Sequence, residues 1–445
     1  GGKGNFVVTA KNPTGPWSNP VWLDAPGIDP SLFFDTDGSA WYIGTRPAPE
    51  GPSYDGNWEA WAQPFDTEKL CLFGESVGLW RGALRDCIWP EAPHIYKVGS
   101  WYYLTIAEGG TGLDHAVSVA RSSSITGPWI GKRSNPILTH RNLGSRAQIT
   151  NVGHGDLFDD CEGNWWMVCL ASRPRPSLDG TGRVSNLGRE TFIVPIHWEE
   201  EWPFASAKTG HIEDCYEGLN LDLSAAQESF GESIIEYFDN EKLPPYFLFL
   251  RTPVEGSWTL NPIKGTLDLS CQAADLSSND PVSFVGVRQC HFNWRLSARV
   301  SLKSSHQGDS AGLAILQSET FQYRFEIFAS KENGTADKLR IVKVAGKAAE
   351  ILFEGPLDES WGTTPVLSVS QINQSLSFFV GKTKINLTRI PLEADASILS
   401  TEIAGGFVGT TLGMYASGNG ASCYGDSYCC GSGIFSQFEY HPLES

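Results

Sequence analysis

The sequence predicts an all-β protein with two domains, a β-propeller followed by an antiparallel β-sandwich. The chain has 445 residues, more than one hydrophobic core usually organises. It contains 47 glycines, 26 prolines and 12% aromatic residues, a composition typical of turn-rich β proteins. Its first half repeats a strand–turn–strand pattern, whereas its second half shows strands of alternating polarity without that repeat.

The repeat lies within residues 1 to 205. Each copy places a polar residue at the start of a short strand, then a glycine turn, then an aromatic strand. The polar residues Asp29, Glu91 and His154 are 62 and 63 residues apart. Because the innermost strands of propeller blades converge on one axis, we expect these side chains to share a repeat position and to face one cavity.

The number of copies predicts that the propeller is incomplete in this sequence. Residues 1 to 205 hold just over three copies, while a propeller closes with four or more blades. The element Thr-Gly-Pro-Trp occurs at 14–17 and again 112 residues later, at two predicted blade ends. A ring of five blades with this period needs about 310 residues, so about 100 are expected before Gly1.

The charge of the chain disfavours polyanionic partners. Its 33 basic and 51 acidic residues give a net charge of −18, which repels nucleic acid and anionic membrane surfaces. No run of 18 apolar residues predicts a membrane span. The 16 Trp, 13 Tyr and 23 Phe residues offer flat faces for stacking, which suits a neutral sugar ligand.

Two of the repeated residues supply the carboxyl groups that glycoside hydrolysis needs. Glu91 follows Trp89 and Pro90, apolar neighbours that favour its protonated form and suit it to act as general acid. The negative charge of Asp29 nearby helps such an acid to retain its proton. His154 is suited to bind sugar hydroxyls or, as a neutral imidazole, a metal ion at the axis.

Five ordered segments span some 165 residues, namely GIDPSLF (27–33), WPEAPH (89–94), EGGTG (108–112), NVGH (151–154) and LGRETF (187–192). Together they resemble glycoside hydrolase family 43, in particular its β-xylosidases. The second half resembles the concanavalin-like β-sandwich that those enzymes carry. The resemblance implies a five-bladed β-propeller and single-displacement hydrolysis with inversion, which uses two carboxyl groups about 6.5–9.5 Å apart.

The resemblance also implies roles for individual residues. Glu91 matches the general acid, Asp29 the carboxylate that orients this acid and modulates its pKa, and His154 the histidine near a central ion. Arg189 matches the arginine that binds substrate hydroxyls, with an ion pair to its neighbour in the chain as the alternative. Phe407 matches an aromatic residue that the sandwich lends to the pocket, with ordinary core packing as the alternative.

The family's catalytic base, an aspartate on the first blade, has no counterpart in this sequence. Both the motifs and the repeat count therefore predict that an N-terminal part is missing. Asp114 and Asp156 are the nearest substitutes in the chain, and neither lies at the base's repeat position. The sequence is then either part of an active enzyme or a catalytically impaired carbohydrate-binding protein on a hydrolase fold.

The predicted function is that of an inverting exo-glycosidase. It releases xylose from the non-reducing end of β-1,4-xylo-oligosaccharides, and α-L-arabinofuranosidase activity is a second reaction that the resemblance implies. This chemistry requires no cofactor, and the resemblance adds a structural calcium ion at the propeller axis, beside His154. The expected partner is the xylo-oligosaccharide or arabinoside substrate, and a homo-oligomer is left open.

The propeller is predicted at 1–212, a polar connector at 213–230 and the sandwich at 231–445.

Three glycosylation sequons and ten cysteines without zinc-site spacing favour an extracellular protein, although no signal peptide is visible and a cytoplasmic location stays open. Residues 423–430 are interpreted as a small disulfide-pinned loop of undetermined pairing. Strands of the sandwich are predicted at Phe321–Ile327, Leu339–Val344 and Leu376–Val380, and the sequons are at Asn333, Asn373 and Asn386.

Overall fold

The structure, a computed structural model, describes residues 4–160, 162–216, 233–331, 335–420 and 431–444. It consists of two compact units. The first comprises residues 1–173 and 190–219, and the second comprises 174–189 and 220–445. Within the described ranges, helical structure is limited to one short α-helix and three 3-10 turns, which confirms the all-β prediction. The helix is Thr401–Ala404, and the turns are Arg141–Leu143, Glu359–Trp361 and Ala396–Leu399.

The strands of the N-terminal half are short and antiparallel. They are β1 (Phe6–Val7), β2 (Val21–Trp22), β3 (Ile28–Phe34), β4 (Ala40–Pro47), β5 (Trp58–Asp66), β6 (Cys71–Leu72), β7 (Val77–Trp80), β8 (Glu91–Val98), β9 (Trp101–Glu108), β10 (Ala116–Ser122), β11 (Ile130–Gly131), β12 (Leu138–Thr139), β13 (Thr150–Asp159), β14 (Trp165–Ser172), β15 (Arg175–Pro176), β16 (Arg183–Val184), β17 (Glu190–Glu199) and β18 (Trp202–Ala205). All belong to the first unit except β15 and β16, which belong to the second.

Three sheets of the first unit are propeller blades. The first blade has the order β3-β4-β5, with β6 and β7 both paired to β5, and the second has β8-β9-β10, with β11 and β12 both paired to β10. The third has the order β13-β14-β17-β18. The predicted propeller is confirmed, and the described residues contain these three blades together with the two-stranded sheet β1-β2.

The innermost strands β3, β8 and β13 each contain a β-bulge at the equivalent place. The bulge begins with a left-handed residue in every blade, with φ of 51° at Asp29, 47° at Ala92 and 51° at His154. Asp29 and His154 are therefore equivalent, as predicted. Glu91 lies one residue earlier, paired with Ala107 in the ladder, so the prediction that all three share one position is wrong.

The polar residue occupies a different place in the second blade. The ladder equivalents of Glu91 are Ile28 and Gly153, neither of which carries a polar side chain. The second blade has its polar residue just before the bulge, whereas the first and third blades have theirs at the first residue of the bulge. Because all three strands share the bulge, matching the polar residues in the sequence places Glu91 one residue out of register with the other two blades.

Apolar clusters lie between adjacent blades and hold them together. One cluster joins Phe33 and Ile43 of the first blade to Leu104 of the second. Another joins Tyr103 of the second blade to Met167 of the third. The innermost strands, which carry the candidate catalytic residues, are thus backed by buried side chains on both sides of the second blade.

The second unit is a sandwich of two antiparallel sheets. Its strands are β19 (Ile234–Glu236), β20 (Leu248–Phe249), β21 (Trp258–Asn261), β22 (Thr266–Ser270), β23 (Ser283–Arg288), β24 (Trp294–Lys303), β25 (Ser310–Ser318), β26 (Phe321–Phe328), β27 (Lys338–Ala345), β28 (Ala348–Pro356), β29 (Val366–Ile372), β30 (Ser375–Thr383), β31 (Asn386–Asp395), β32 (Thr411–Ser417) and β33 (Ser432–Pro442). One sheet has the order β21-β22-β33-β24-β29-β30-β31 with β19 beside β33, and the other has the order β20-β23-β32-β25-β26-β27-β28.

The three strands predicted in the sandwich are confirmed as β26, β27 and β30. The apolar residues of β26 enter the core between the sheets, with Phe325 packed edge-on against Phe378 of β30 at 5.5 Å between ring centroids. The alternate polar residues of β26 are also buried: Arg324 binds the Asp275 carboxylate at 2.7 Å, and Glu326 pairs with Arg340. This strand therefore has no solvent-facing side, although its alternation is that of a half-exposed strand.

Two predicted features lie largely or wholly outside the described residues, namely the connector at 213–230 and the loop at 423–430. Five cysteines of the described ranges are not part of a disulfide bond, namely Cys71, Cys87, Cys169, Cys215 and Cys271. The part of the chain that the structure describes contains no helix of sufficient length and apolarity to cross a membrane.

Candidate active site

The candidate catalytic residues lie where the innermost strands of three blades begin. Glu91 is the first residue of β8, Asp29 the second residue of β3, and His154 the fifth residue of β13. All three are partly buried. The first two blades meet here directly, since Ser31 Oγ donates a hydrogen bond to the carbonyl oxygen of Pro93 at 2.7 Å.

Asp29 is bound to the backbone next to Glu91. The amide of Ala92 donates to Asp29 Oδ2 at 3.1 Å, across the boundary between the first and second blades. This bond holds the carboxylate one residue from the candidate acid. A negative charge in that place favours the protonated form of a neighbouring carboxyl group, because two like charges repel each other.

The backbone that carries His154 is supported by a buried histidine that sequence reasoning did not single out. His115 is 2% exposed, and its Nδ1 lies 3.0 Å from the carbonyl oxygen of Asn151. A Cβ on Gly153 would lie 2.3 Å from the His115 ring, so only glycine fits before His154. The sequence signal that could have revealed this contact is Gly153, since a glycine within a strand often marks the close approach of another group.

The two substitutes for the base have different surroundings. Asp156 Oδ1 accepts a hydrogen bond from the Tyr96 hydroxyl at 2.5 Å and lies 3.7 Å from His94 Nδ1. Burial, and then the Asp156 carboxylate, raises the pKa of Tyr96, which therefore stays a hydrogen-bond donor. Asp114 lies exposed in the loop after β9. The hydrogen bond from Tyr96 thus already occupies the Asp156 carboxylate, which makes Asp156 less suitable as the catalytic base.

The described residues around His154 do not supply the ligands of the implied calcium ion. No group of three or more His, Cys, Asp or Glu side chains in these ranges is arranged to hold a metal ion. Calcium takes about six to eight oxygen ligands, and a single imidazole from His154 does not provide them. The described residues therefore do not fit a calcium cage, and no step below uses a metal ion.

Arg189 and Phe407 lie together in the second unit. The guanidinium carbon of Arg189 is 4.1 Å from the centre of the Phe407 ring, and the Arg189 amide donates to the Phe407 carbonyl oxygen at 3.3 Å. Phe407 is 56% exposed, so it is not an ordinary core residue. The alternative partner of Arg189, Glu190, instead binds Arg173 at 2.7 Å. A guanidinium beside an exposed ring is suited to bind sugar hydroxyls and to stack on a sugar face.

Arg189 ends a segment, residues 174–189, that is docked on the sandwich strands and turns of the second unit. The backbone amide and the hydroxyl of Ser185 donate to the two carboxylate oxygens of Glu402 at 2.7 and 2.8 Å. Asn186 accepts from the Thr410 amide at 2.8 Å. These bonds connect the 174–189 segment to the chain on both sides of Phe407 and so fix the two candidate binding residues in one place.

Two glycines allow this docking. A Cβ on Gly188, where φ is +69°, would lie 2.3 Å from the Gly409 amide nitrogen. A Cβ on Gly409 would lie 2.3 Å from the Leu187 carbonyl oxygen. Because both obstacles are backbone atoms, neither can move aside, and the two chain segments approach this closely only with glycine at both positions.

Comparisons with known proteins agree with the geometry. Residues 1–203 match the model of the Glycosyl hydrolases family 43, and residues 236–430 match that of the Beta xylosidase C-terminal Concanavalin A-like domain. A xylosidase/arabinosidase of Butyrivibrio fibrisolvens is 38% identical over 434 residues, 96% of this chain and 80% of that protein. A non-reducing end alpha-L-arabinofuranosidase of Bacteroides ovatus is 33% identical over 425 residues, 94% of this chain and 75% of that protein.

A solved structure supports the same assignment over nearly the whole chain. The crystal structure of a xylan beta-1,4-xylosidase from Bacillus halodurans aligns with a TM-score of 0.84 at 26% identity, covering 98% of this chain and 80% of that one. The propeller, the sandwich and the sequence relatives agree, and the chain is a glycoside hydrolase that belongs to glycosyl hydrolases family 43.

Proposed function

We propose that this protein is an exo-acting, inverting glycosidase that releases xylose from the non-reducing end of β-1,4-xylo-oligosaccharides and also hydrolyses α-L-arabinofuranosides. Membership of family 43 and the names of the relatives support this choice of substrates. The structural observation that carries the proposal is the pair formed by Glu91 and Asp29 at the start of adjacent innermost strands, joined through the Ala92 amide at 3.1 Å.

Glu91 is proposed as the general acid. It protonates the glycosidic oxygen while the bond from that oxygen to the anomeric carbon breaks, and water attacks the opposite face of the sugar. A carboxylate base takes a proton from this water. The prediction that the base is an aspartate earlier in the propeller stays a prediction. Asp29 holds Glu91 in its protonated form and orients it by binding the Ala92 amide.

Arg189 and Phe407 are proposed to bind the substrate. The Arg189 side chain presents several N–H donors to sugar hydroxyls, and the exposed Phe407 ring presents an apolar face to the sugar ring. His154 is proposed to bind a hydroxyl group of the substrate, and the chemistry does not depend on a metal ion.

The test of this assignment is Glu91→Gln, which removes the proton that is donated. We expect the turnover of xylobiose to fall by at least about 100-fold, within the usual contribution of general acid catalysis. The turnover of 2,4-dinitrophenyl β-xyloside should fall much less, because its leaving group needs little protonation. Glu162→Gln removes an exposed carboxylate from the same unit and serves as the control. Equal losses on both substrates would refute Glu91 as the acid.

The anomeric configuration of the released xylose tests the proposed inversion. Proton NMR during hydrolysis of a β-xyloside should show α-xylose before mutarotation, and β-xylose as the first product would contradict a single displacement. The competing function, a carbohydrate-binding protein without turnover, predicts measurable binding of xylobiose by calorimetry and no sugar release. These two results distinguish the proposals with the natural protein.

We further propose an extracellular location, supported by the sequons. Asn373 and Asn386 lie at the turn before β30 and at the start of β31, both accessible positions for a glycan. Mass spectrometry of the protein from its natural source tests this proposal, and unmodified asparagines in a protein recovered from the cell interior would count against it.

A further inference from the structure

The backbone around Glu91 lacks several of the hydrogen bonds that usually hold a strand. Pro90 and Pro93 have no N–H to donate. Trp89 and Ala92 have left-handed backbones, with φ of 46° and 47°, and the ladder is interrupted after Glu91. The peptide segment that carries Glu91 is therefore held in part by contacts from outside its own sheet.

Two hydroxyl groups of the first blade supply such contacts. Thr45 Oγ1, on β4, donates to the Pro90 carbonyl oxygen at 2.5 Å. Ser31 Oγ, on β3, donates to the Pro93 carbonyl oxygen at 2.7 Å. The two carbonyls lie before and after Glu91 in the chain, so the hydroxyls hold the peptide segment on both sides of the candidate acid.

Thr45 is placed where water cannot replace it. The residue is 0% exposed, and its hydroxyl has a second, longer contact of 3.3 Å with the Glu59 carbonyl oxygen. The neighbouring strand presses closely on it, because a Cβ on Gly27 would lie 1.7 Å from the Thr45 carbonyl oxygen. Removing the hydroxyl would leave the buried Pro90 carbonyl without this donor and free the segment to shift.

We propose that Thr45 is a positioning residue for the general acid, assisted by Ser31. It acts through the Pro90 peptide and does not touch the substrate. The inference rests on the proposed function, since it takes Glu91 as the acid. Proton transfer to a leaving oxygen requires hydrogen-bond distance, and displacements of about 1 Å can cost about 100-fold in rate.

The test compares Thr45→Val with Thr45→Ser in the natural protein. Valine keeps the shape and removes the hydroxyl, and we expect kcat on xylobiose to fall about 10- to 100-fold with KM nearly unchanged. On 2,4-dinitrophenyl β-xyloside the loss should stay below about threefold, since this substrate needs little protonation. Serine restores the donor and should recover xylobiose turnover to within about threefold of the unmodified protein.

The matched control is Thr411→Val in the second unit. Thr411 Oγ1 also donates to a backbone carbonyl oxygen, that of Leu316, at 3.1 Å. Its loss should lower the melting temperature without any dependence on the leaving group. Should Thr45→Val fail to fold, Ser31→Ala replaces it, because Ser31 is only partly buried and its hydroxyl holds the Pro93 carbonyl.

Three results would overturn the inference. The first is an equal loss of turnover on both substrates in Thr45→Val, and the second is unchanged xylobiose turnover in that variant. The third is an absence of leaving-group dependence in Glu91→Gln, which would remove the proposed acid as well. A leaving-group effect in Glu91→Gln but not in Thr45→Val or Ser31→Ala refutes the positioning role alone and leaves the proposed function intact.

Discussion

Gly188→Ala should separate the Arg189 end of the 174–189 segment from the chain around Gly409 and weaken substrate binding. The new Cβ would lie 2.3 Å from the Gly409 amide nitrogen, a backbone atom that cannot rotate away. The two chain segments must then separate. Arg189, which follows directly, loses its fixed position over the Phe407 ring.

The expected destabilisation follows from the contacts that are lost. An alanine at φ of +69° costs about 1 kcal/mol relative to glycine. Separation also breaks the backbone bonds from Arg189 to Phe407 at 3.3 Å and from Thr410 to Asn186 at 2.8 Å, each worth about 1 kcal/mol. A total of about 3 kcal/mol lowers the melting temperature of a unit of this size by about 6–12 °C.

Calorimetry measures the transition of the sandwich unit, and steady-state kinetics measures KM for xylobiose. Because Arg189 is proposed to bind hydroxyls, we expect KM to rise about 10-fold, which corresponds to one weakened hydrogen bond of a charged group. The rate constant kcat on 2,4-dinitrophenyl β-xyloside should change less than KM, since Glu91 lies in the first unit.

Two other glycines of the same segment separate the effects. Gly180 has φ of +71° with nothing within 4 Å of an added Cβ, so Gly180→Ala measures the backbone cost alone. An added Cβ at Gly182 meets only Ser177 Oγ at 3.8 Å, and Gly182→Ala should be nearly neutral. If Gly188→Ala were no less stable than Gly180→Ala, or if its KM were unchanged, the close approach would not be what positions Arg189.

Three further outcomes are expected. Asp29→Asn should move the high-pH limb of kcat/KM to lower pH, because the general acid loses its proton more easily without the neighbouring negative charge, and an unmoved limb would remove Asp29 from this role. Burial lowers the pKa of His140, which lies 2.9 Å from the Ile149 carbonyl oxygen and accepts from the Ile212 amide at 3.0 Å. The contribution of this neutral imidazole to the free energy of unfolding is therefore present above pH 6.5 and is lost as the pH falls. The melting temperature should drop on acidification, and it should drop less in His140→Gln. Exhaustive chelation should leave the melting temperature unchanged, since the described residues do not fit a calcium cage, and a clear decrease would show that His154 and solvent hold an ion after all.

The sequence predicted the class of fold because its signals are periodic. Turn glycines and aromatic strands recur with the blade, and the alternation in β26 marks a sandwich strand, so both units are as expected. The one-residue offset of Glu91 has a local cause, since the second blade has its polar residue just before the bulge and not at the first residue of the bulge. The burial of Arg324 and Glu326 could not be predicted for a different reason. Their oppositely charged partners, Asp275 and Arg340, are distant in sequence or on another strand.

The candidate site was only partly accessible to sequence reasoning. The internal repeat and the resemblance both selected Asp29 and Glu91, and the structure joins them through a backbone amide. Nothing in the pattern indicated that the hydroxyl of Thr45 supports the acid, since a threonine in a strand is ordinary. Nor did local spacing associate Arg189 with Phe407, because their contact depends on chain segments that are more than 200 residues apart in the sequence.

During synthesis, the 174–189 segment leaves the ribosome well before the residues to which it binds. Ser185 and its partner Glu402 are 217 residues apart in the chain. At about 5–20 residues per second, the ribosome completes the partner about 10–45 s after the segment itself. Meanwhile β14 and β17 flank a connection whose anchor does not yet exist. A nascent chain arrested near residue 300 would thus contain its blade strands but not the residues that hold Arg189 in place. Residues 174–189 should therefore stay sensitive to protease until the last sandwich strands emerge.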